Sequence, residues 1–195
     1  EGPGEFNFPT YLSLAQGELY VTDSMNARVQ VLGADSGEHR RTVGARGLYV
    51  GNLVRPKGVA VDSESNLYVV ESYYDNLLIF GPKGEFLMPL GGTGAATGRF
   101  FLPAGVWTDD RNRVFVADMF GPDKQPANGD EAGKAVGAIY ADRRLLRSRV
   151  IAAKAAAIDA VTAKKLPADL GKIAAIGFCF GGASVLELAR SGDDS

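Results

Sequence analysis

Pro9, Pro56 and Pro103 stand 47 residues apart, each behind a short aromatic or apolar lead-in: Asn7-Phe8, Val54-Arg55 and Phe101-Leu102. A fixed period of this length marks one supersecondary unit repeated along the chain, each copy burying its apolar face on a neighbour. Roughly ten residues after each proline comes strand-forming sequence: Glu18-Leu19-Tyr20-Val21-Thr22-Asp23, Asn66-Leu67-Tyr68-Val69-Val70-Glu71 and Arg113-Val114-Phe115-Val116-Ala117-Asp118. Val, Tyr and Phe alternating between polar ends suit a pleated, half-buried surface. The first two copies run through the turns Ser24-Met25-Asn26 and Ser72-Tyr73-Tyr74-Asp75 into second strands, Ala27-Arg28-Val29-Gln30-Val31-Leu32 and Asn76-Leu77-Leu78-Ile79-Phe80. A further strand follows Gly37 and Gly84 and ends at Val43-Gly44 and Leu90-Gly91-Gly92. Short strands recurring with this period predict antiparallel β-propeller blades.

The repeat stops near residue 120, and so does its composition. Of the 17 Phe and Tyr residues, only Tyr140, Phe178 and Phe180 lie beyond Phe120. The remainder of the chain is rich in Ala, Lys, Arg and Leu, which favour helices. The segment Gly121-Pro122-Asp123-Lys124-Gln125-Pro126-Ala127-Asn128-Gly129 is loop chemistry. The expected division is therefore 1–120 as blades and 121–195 as an α/β segment, with 113–120 readable as part of either.

The blade pattern resembles the NHL-repeat family of propellers. The residues that carry it are Pro56-Lys57-Gly58-Val59-Ala60-Val61-Asp62, then 66–72, Asn76 and Ile79-Phe80, and the resemblance covers about residues 4–120. It implies an incomplete ring: about two and a half blades where closed rings take roughly four to eight.

In the second part, apolar residues recur at helical spacing from Asp130 to about Lys165: Ala132, Val136, Ile139, Leu146, Val150, Ile158 and Val161. Asp130 is the expected N-cap, and 143–146 the expected break between two helices. Lys172-Ile173-Ala174-Ala175-Ile176 reads as a buried strand running into Gly177-Phe178-Cys179-Phe180-Gly181-Gly182, with a helix from Ala183 to Arg190. Strand, glycine-flanked turn and helix are the setting of a nucleophile elbow, here with Cys in place of Ser. The following helix N-terminus favours the thiolate of Cys179, and the Phe180 N–H is placed as an oxyanion donor.

From about Val114 to Ser195 the sequence resembles the central part of a dienelactone hydrolase, an α/β-hydrolase. Val116-Ala117-Asp118-Met119-Phe120-Gly121, Asn128-Gly129-Asp130-Glu131-Ala132-Gly133, Asp142-Arg143-Arg144-Leu145-Leu146, the elbow and Val185-Leu186-Glu187-Leu188-Ala189-Arg190-Ser191-Gly192 carry it. The resemblance implies Cys179 as the nucleophile of a Cys-His-Asp triad that opens cyclic enol-lactones. It also implies that the triad Asp and His follow in chain order, beyond the sixteen residues that stand after Cys179. The expectation is a small ester or lactone substrate, with hydrolysis incomplete in this chain. The alternatives are a non-enzymatic propeller scaffold that binds a protein partner through its blade loops, and a spliced or misassigned chain with no native function.

Other residues have plainer readings. His39, in Gly37-Glu38-His39-Arg40-Arg41, is expected in an exposed inter-strand turn rather than as a base for Cys179. Asp23, Glu71 and Asp118 close equivalent strands and are expected to cap loops rather than to ring a metal. Arg40-Arg41, Arg143-Arg144 and Lys164-Lys165 read as solvated faces. The glycine-rich run 91–98 lacks the Gly-Lys-Ser/Thr ending of a phosphate loop and reads as an inter-blade linker. One Cys and one His cannot form a disulfide or a Cys/His zinc site, and no cofactor is expected. A net charge of -2 gives no electrostatic reason to expect nucleic acid or an anionic membrane as partner. No apolar run reaches the roughly 20 residues that cross a bilayer. The opening Glu1-Gly2-Pro3-Gly4 reads as a processed, excised or cropped start, which leaves compartment and oligomeric state open.

Overall fold

The strand-forming repeats fold as two four-stranded antiparallel meanders in the computed structural model, which describes residues 1–94, 96–117, 129–163 and 186–192. The first sheet runs β1 (Pro9–Ala15), β2 (Glu18–Asp23), β3 (Arg28–Gly33) and β4 (His39–Val43). The second repeats it with β5 (Pro56–Val61), β6 (Leu67–Glu71), β7 (Asn76–Phe80) and β8 (Phe86–Gly91). The third copy contributes β9 (Gly105–Thr108) paired antiparallel with β10 (Val114–Ala117). Each of these connections is sequential, so every strand lies beside the one made just before it.

The first strand of each sheet packs on the first strand of the next, β1 on β5 and β5 on β9. This is the stacking of consecutive propeller blades. Gly58 shows how close the approach is. Its N–H donates to the Ala104 carbonyl at 2.8 Å, and a Cβ there would lie 2.7 Å from that same oxygen. Any side chain at this position would push β9 away.

The core sits between the first two sheets. Tyr20, Val29, Val31 and Val43 of the first face Val59, Val61, Leu67, Val69, Leu78 and Phe80 of the second, with Leu53 of the connecting loop fully buried among them. The period-2 alternation of a strand puts Val29 and Val31 on this face and Gln30 on the other. Phe86 closes the outer edge, edge-on to Phe80 with ring centroids 5.8 Å apart.

The chain divides into two compact units, Glu1–Gln125 and Pro126–Ser195. In the second unit, α1 (Gly129–Ala141) is followed at once by α2 (Arg143–Ala163), and residues 186–190 are helical. The break falls at Asp142, one residue before the expected stretch, because its Oδ1 accepts the Arg144 and Leu145 N–H groups at 3.0 Å and caps α2. Asp130 is not an N-cap: α1 begins at Gly129, so Asp130 lies inside the first turn. The strand expected at 172–176 lies outside the described residues.

Candidate functional site

The two acids that close β2 and β6 are fully buried and wholly occupied by their own loops. Asp23 accepts hydrogen bonds from the Asn7 N–H (2.7 Å), Asn26 Nδ2, Arg28 Nε (both 2.8 Å) and Gln30 Nε2 (3.2 Å). Burial pushes its carboxyl upward, but the Asn26, Asn7 and Arg28 hydrogen bonds outweigh that and hold it below the usual range. Glu71 accepts the N–H groups of Arg55, Tyr73 and Tyr74. Each acid thus ties the chain entering its blade to the turn between its second and third strands. The loop-capping reading holds for both, and Asp118 lies outside the described residues. No group of three His, Cys, Asp or Glu that could hold a metal occurs among the described residues.

A second repeated device links the blades at the opposite end of these strands. Asp62 accepts the N–H groups of Glu64 and Asn66 within its own turn, and Asp109 does the same for Arg111 and Arg113. Across blades, Gln16 donates to the Ser63 carbonyl and accepts from the Ser65 hydroxyl, while Asn112 accepts the Ser63 N–H and donates to the Ser63 hydroxyl. The three β1–β2-type turns are stitched in a row. The Tyr68 hydroxyl, desolvated and bonded to Asp62, is pushed up to about 12.

The connecting loop between the first two sheets carries the most exposed apolar side chains. Leu48, Tyr49 and Val50 are 72%, 85% and 75% exposed. The loop is nonetheless well held: Leu53 N–H donates to the Ala45 carbonyl, Gly47 N–H to Leu53, and Asn52 N–H to Tyr49. Arg46 and Leu53 form an isolated bridge, and Thr93 and Phe100 form the matching bridge in the next connecting loop. That second loop displays Ala96, Thr97 and Gly98 instead. The fold needs the bridge but not the apolar tip. Alternation and turn signals do not find this tip; only its failure to recur marks it.

In the helical unit, Glu187 is buried to 2% exposure and meets three guanidinium groups. Arg147 approaches at 2.8 Å, Arg190 at 3.0 Å and Arg143 at 3.8 Å. Arg147 foremost, with Arg190, holds the Glu187 carboxyl below its usual range. The hub ties helical residues 186–190 to α2. The Arg143/Arg147 spacing of four and the Glu187/Arg190 spacing of three are its sequence signals.

Arg40, Arg143 and Arg144 are exposed, as expected of solvated faces, but two of the basic pairs also make specific contacts. Arg41 is not merely solvated: its guanidinium is 2.7 Å from Glu18, donates to the Tyr20 hydroxyl and lies over the Tyr20 ring, while Arg40 reaches Glu18 at 3.3 Å. Arg143 lies over the Tyr140 ring, 4.5 Å from its centroid, besides pairing with Glu187. His39 is not in a turn. It opens β4, half-buried, with Nε2 3.0 Å from Thr42 Oγ1, because a bulge in the β3–β4 ladder sets it opposite Leu32. The run after Gly91 is a linker between the second and third sheets, as expected. Cys179 and Phe180, the expected nucleophile and oxyanion donor, and Lys164-Lys165 lie outside the described residues.

Comparison with known proteins matches residues 113–195 to the dienelactone hydrolase family model. No curated protein matches the chain. Solved structures similar to part of it include hydrazine synthase from Kuenenia stuttgartiensis, at 14% identity over 61% of this chain and 36% of that one, with a TM-score of 0.44. Virginiamycin B lyase from Staphylococcus aureus matches at 14% identity over 57% and 34%, with a TM-score of 0.43. A structural genomics protein of unknown function from Bacteroides thetaiotaomicron matches at 17% over 54% and 30%, with a TM-score of 0.45. The chain spans about a third of the length of these structures. Its two parts are blade repeats followed by hydrolase-like sequence. Within the stretch 113–120 that both readings share, Val114–Ala117 form β10, paired along its length with β9.

Proposed function

We propose that residues 113–195 are the central part of an ester or lactone hydrolase of the dienelactone type, with Cys179 as its nucleophile. The family match over this stretch carries the reading, and the motif Gly177-Phe178-Cys179-Phe180-Gly181-Gly182 supports the residue choice. In this reading the Cys179 thiolate adds to the substrate carbonyl carbon, and the carbonyl oxygen takes the negative charge. The Phe180 N–H donates to that oxygen. Collapse then breaks the bond to the leaving oxygen, which takes up a proton, and water must cleave the thioester. Both later steps need a histidine acting as acid and base. The 195 residues contain one histidine, His39, and it belongs to β4 of the first blade. A polypeptide of these residues is therefore proposed to form the thiolate but not to turn over.

Iodoacetamide labelling followed by peptide mapping tests the first half. One equivalent is expected at Cys179, with a labelling rate that rises at a pH below that of an ordinary thiol, near 8.5. An ordinary thiol profile would remove the nucleophile reading. Hydrolysis of p-nitrophenyl acetate tests the second half. No turnover that Cys179→Ala abolishes is expected, and finding such turnover would show a complete catalyst.

A second reading, a scaffold that binds a protein partner through its blade loops, is favoured by the Leu48-Tyr49-Val50 tip. An ordered loop that exposes Leu, Tyr and Val side chains where its repeat mate exposes Ala96, Thr97 and Gly98 is a contact surface in search of a cover. A photo-crosslinker at position 49 should then capture one defined protein, and the Leu48→Ser/Val50→Ser background should abolish capture. Capture unchanged by those substitutions would sink this reading.

A further inference from the structure

The meanders sort their loops into two ends of different charge. Each sheet starts at one end, so the turns after β2 and β6 and the connecting loops after β4 and β8 lie there. The turns after β1, β3, β5, β7 and β9 lie at the other. The Ser24 hydroxyl, which donates to the Pro56 carbonyl at 2.6 Å, and the Gln16–Ser63 pair hold the first two sheets with like ends together. At the second end stand the exposed acids Asp35, Glu38, Glu64, Glu85 and Asp110, among Arg40, Lys83 and Arg111. At the first end the turn acids Asp23, Glu71 and Asp75 are buried and bonded within their own loops, whereas Arg46, Arg55 and Arg99 are exposed. Among the described residues, the exposed acids of this end are Glu1 and Glu5, on the leading segment whose carbonyls bond Arg28.

The loop that carries Leu48, Tyr49 and Val50 is bonded to both turns of this end. Arg46 donates to the Met25 carbonyl, and the Tyr74 hydroxyl meets the Leu48 carbonyl at 3.5 Å. Met25 and Tyr73 are themselves 58% and 53% exposed, with Tyr73 edge-on to Tyr74. Glu71 and Ser72 hold the backbone of Arg55, while its guanidinium makes no hydrogen bond or ion pair among the described residues. Blades stack through sheet faces, β1 on β5 and β5 on β9, so stacking leaves this end open. Tyrosine and arginine are enriched in protein interfaces, and lysine is depleted there. We infer that this end takes an acidic segment of a partner protein, with its carboxylates on Arg55 and the neighbouring arginines and an apolar side chain on the tip. This rests on the scaffold reading of the tip and names the partner's chemistry. A guanidinium fork pairs bidentately with a carboxylate. A nucleic acid offers Leu48 and Val50 no apolar side chain. Residues 1–120, with fourteen acids against ten Lys and Arg, carry a net charge that opposes an extended polyanion or an anionic bilayer.

A phage library of random peptides, each about a dozen residues long, panned on the 195-residue chain should yield Asp and Glu clustered beside Leu, Phe or Tyr. The dissociation constant of a selected peptide, read by fluorescence anisotropy, should rise at least about fivefold with Arg55→Ala. It should also rise as salt goes from about 0.1 M to about 1 M, where the screening length falls from about 10 Å to about 3 Å. The salt series reads the charge without a variant. Leu48→Ser/Val50→Ser should weaken the same peptide. Selected peptides that depend on the tip but carry no acidic excess, or that Arg55→Ala and salt leave unchanged, overturn the inference while the tip reading stands. An empty selection, or binding indifferent to Leu48→Ser/Val50→Ser, removes the tip reading and the inference together. Tighter, Arg55-dependent binding of oligothymidylate or of phosphatidylserine vesicles also overturns it, because the surface then belongs to another class of partner.

Discussion

The blades and the helices solve burial in opposite ways. Between the first two sheets, a dozen residues form a continuous apolar core, and even the connecting loop contributes a fully buried side chain, Leu53. In the helical unit, Leu146 is the one fully buried apolar residue among the described residues, and the closest tertiary link is the charged hub of Glu187 with three arginines. Val136, Ile139, Val150 and Ile158 are only half-buried. A sheet repeat carries its partner surface along the chain, whereas among the described residues of the helical unit the link between 186–190 and α2 is the ionic hub at Glu187. An apolar interface keeps its strength in salt; an exposed ionic one is screened.

Substitutions at the centre of each region sharpen the contrast, the larger effect coming first. Leu53→Ala should lower the unfolding free energy of the blade unit by about 2–5 kcal/mol, the cost of a buried Leu truncation. Chemical denaturation followed by Trp107 fluorescence reads it, and a loss under about 1 kcal/mol would mean that the core is not continuous across the two sheets. Glu187→Gln should act locally. It leaves three guanidinium groups without their shared carboxylate, so amide exchange at 186–190 should quicken while exchange in β2 and β6 stays as it was. Faster exchange in the blades as well would mean that the two units do not fold independently.

The smallest effect belongs to the Glu18–Arg41 ion pair between β2 and β4 of the first sheet. The Arg41 hydrogen bond, helped by Tyr20 and Arg40, lowers the Glu18 carboxyl to about 2, against partial desolvation that raises it. A depressed carboxylate contributes stability that is present above its unfolded value, near 4.5, and lost as pH falls toward 2. The ion pair is exposed on the Arg41 side, so its contribution is at most about 1 kcal/mol. Unfolding curves of the wild type and Glu18→Gln should therefore differ slightly at about pH 6 and converge near pH 2. A gap that widens in acid would reverse the assignment.

Much of the blade architecture is legible from spacing. The prolines at a fixed interval, the polar turn residues and the alternation in β2 and β6 place the last three strands of each four-stranded sheet, whereas β1 and β5, which begin at the prolines themselves, are not read as strands. Asp23 and Glu71 are legible as caps because a buried acid at a strand end has few other roles. His39 and Arg41 escape a local reading for one reason: it sees a charged run and cannot see Leu32 or Glu18 opposite it, whereas the Tyr140 partner of Arg143 stands only three residues away. Sequence sets the helix break one residue late because Leu146 and its neighbours preserve the helical period while Asp142 interrupts it through its side chain. The expected catalytic pair, Cys179 and Phe180, rests on its motif alone.

Residues 113–117 draw the line between the two levels. Their sequence serves a blade strand and a hydrolase strand equally well, since alternating Val and Phe satisfy any half-buried sheet. Sequence by itself determined the period, the strands, the turns and the change of composition near residue 120, because these rest on contacts close in the chain or repeated along it. Only the tertiary structure decided that 114–117 pair with Gly105–Thr108, that Leu48, Tyr49 and Val50 stand exposed at a loop tip, and which sheet faces pack on one another. Those outcomes depend on which distant backbone offers its free N–H and C=O groups, and no local pattern specifies that.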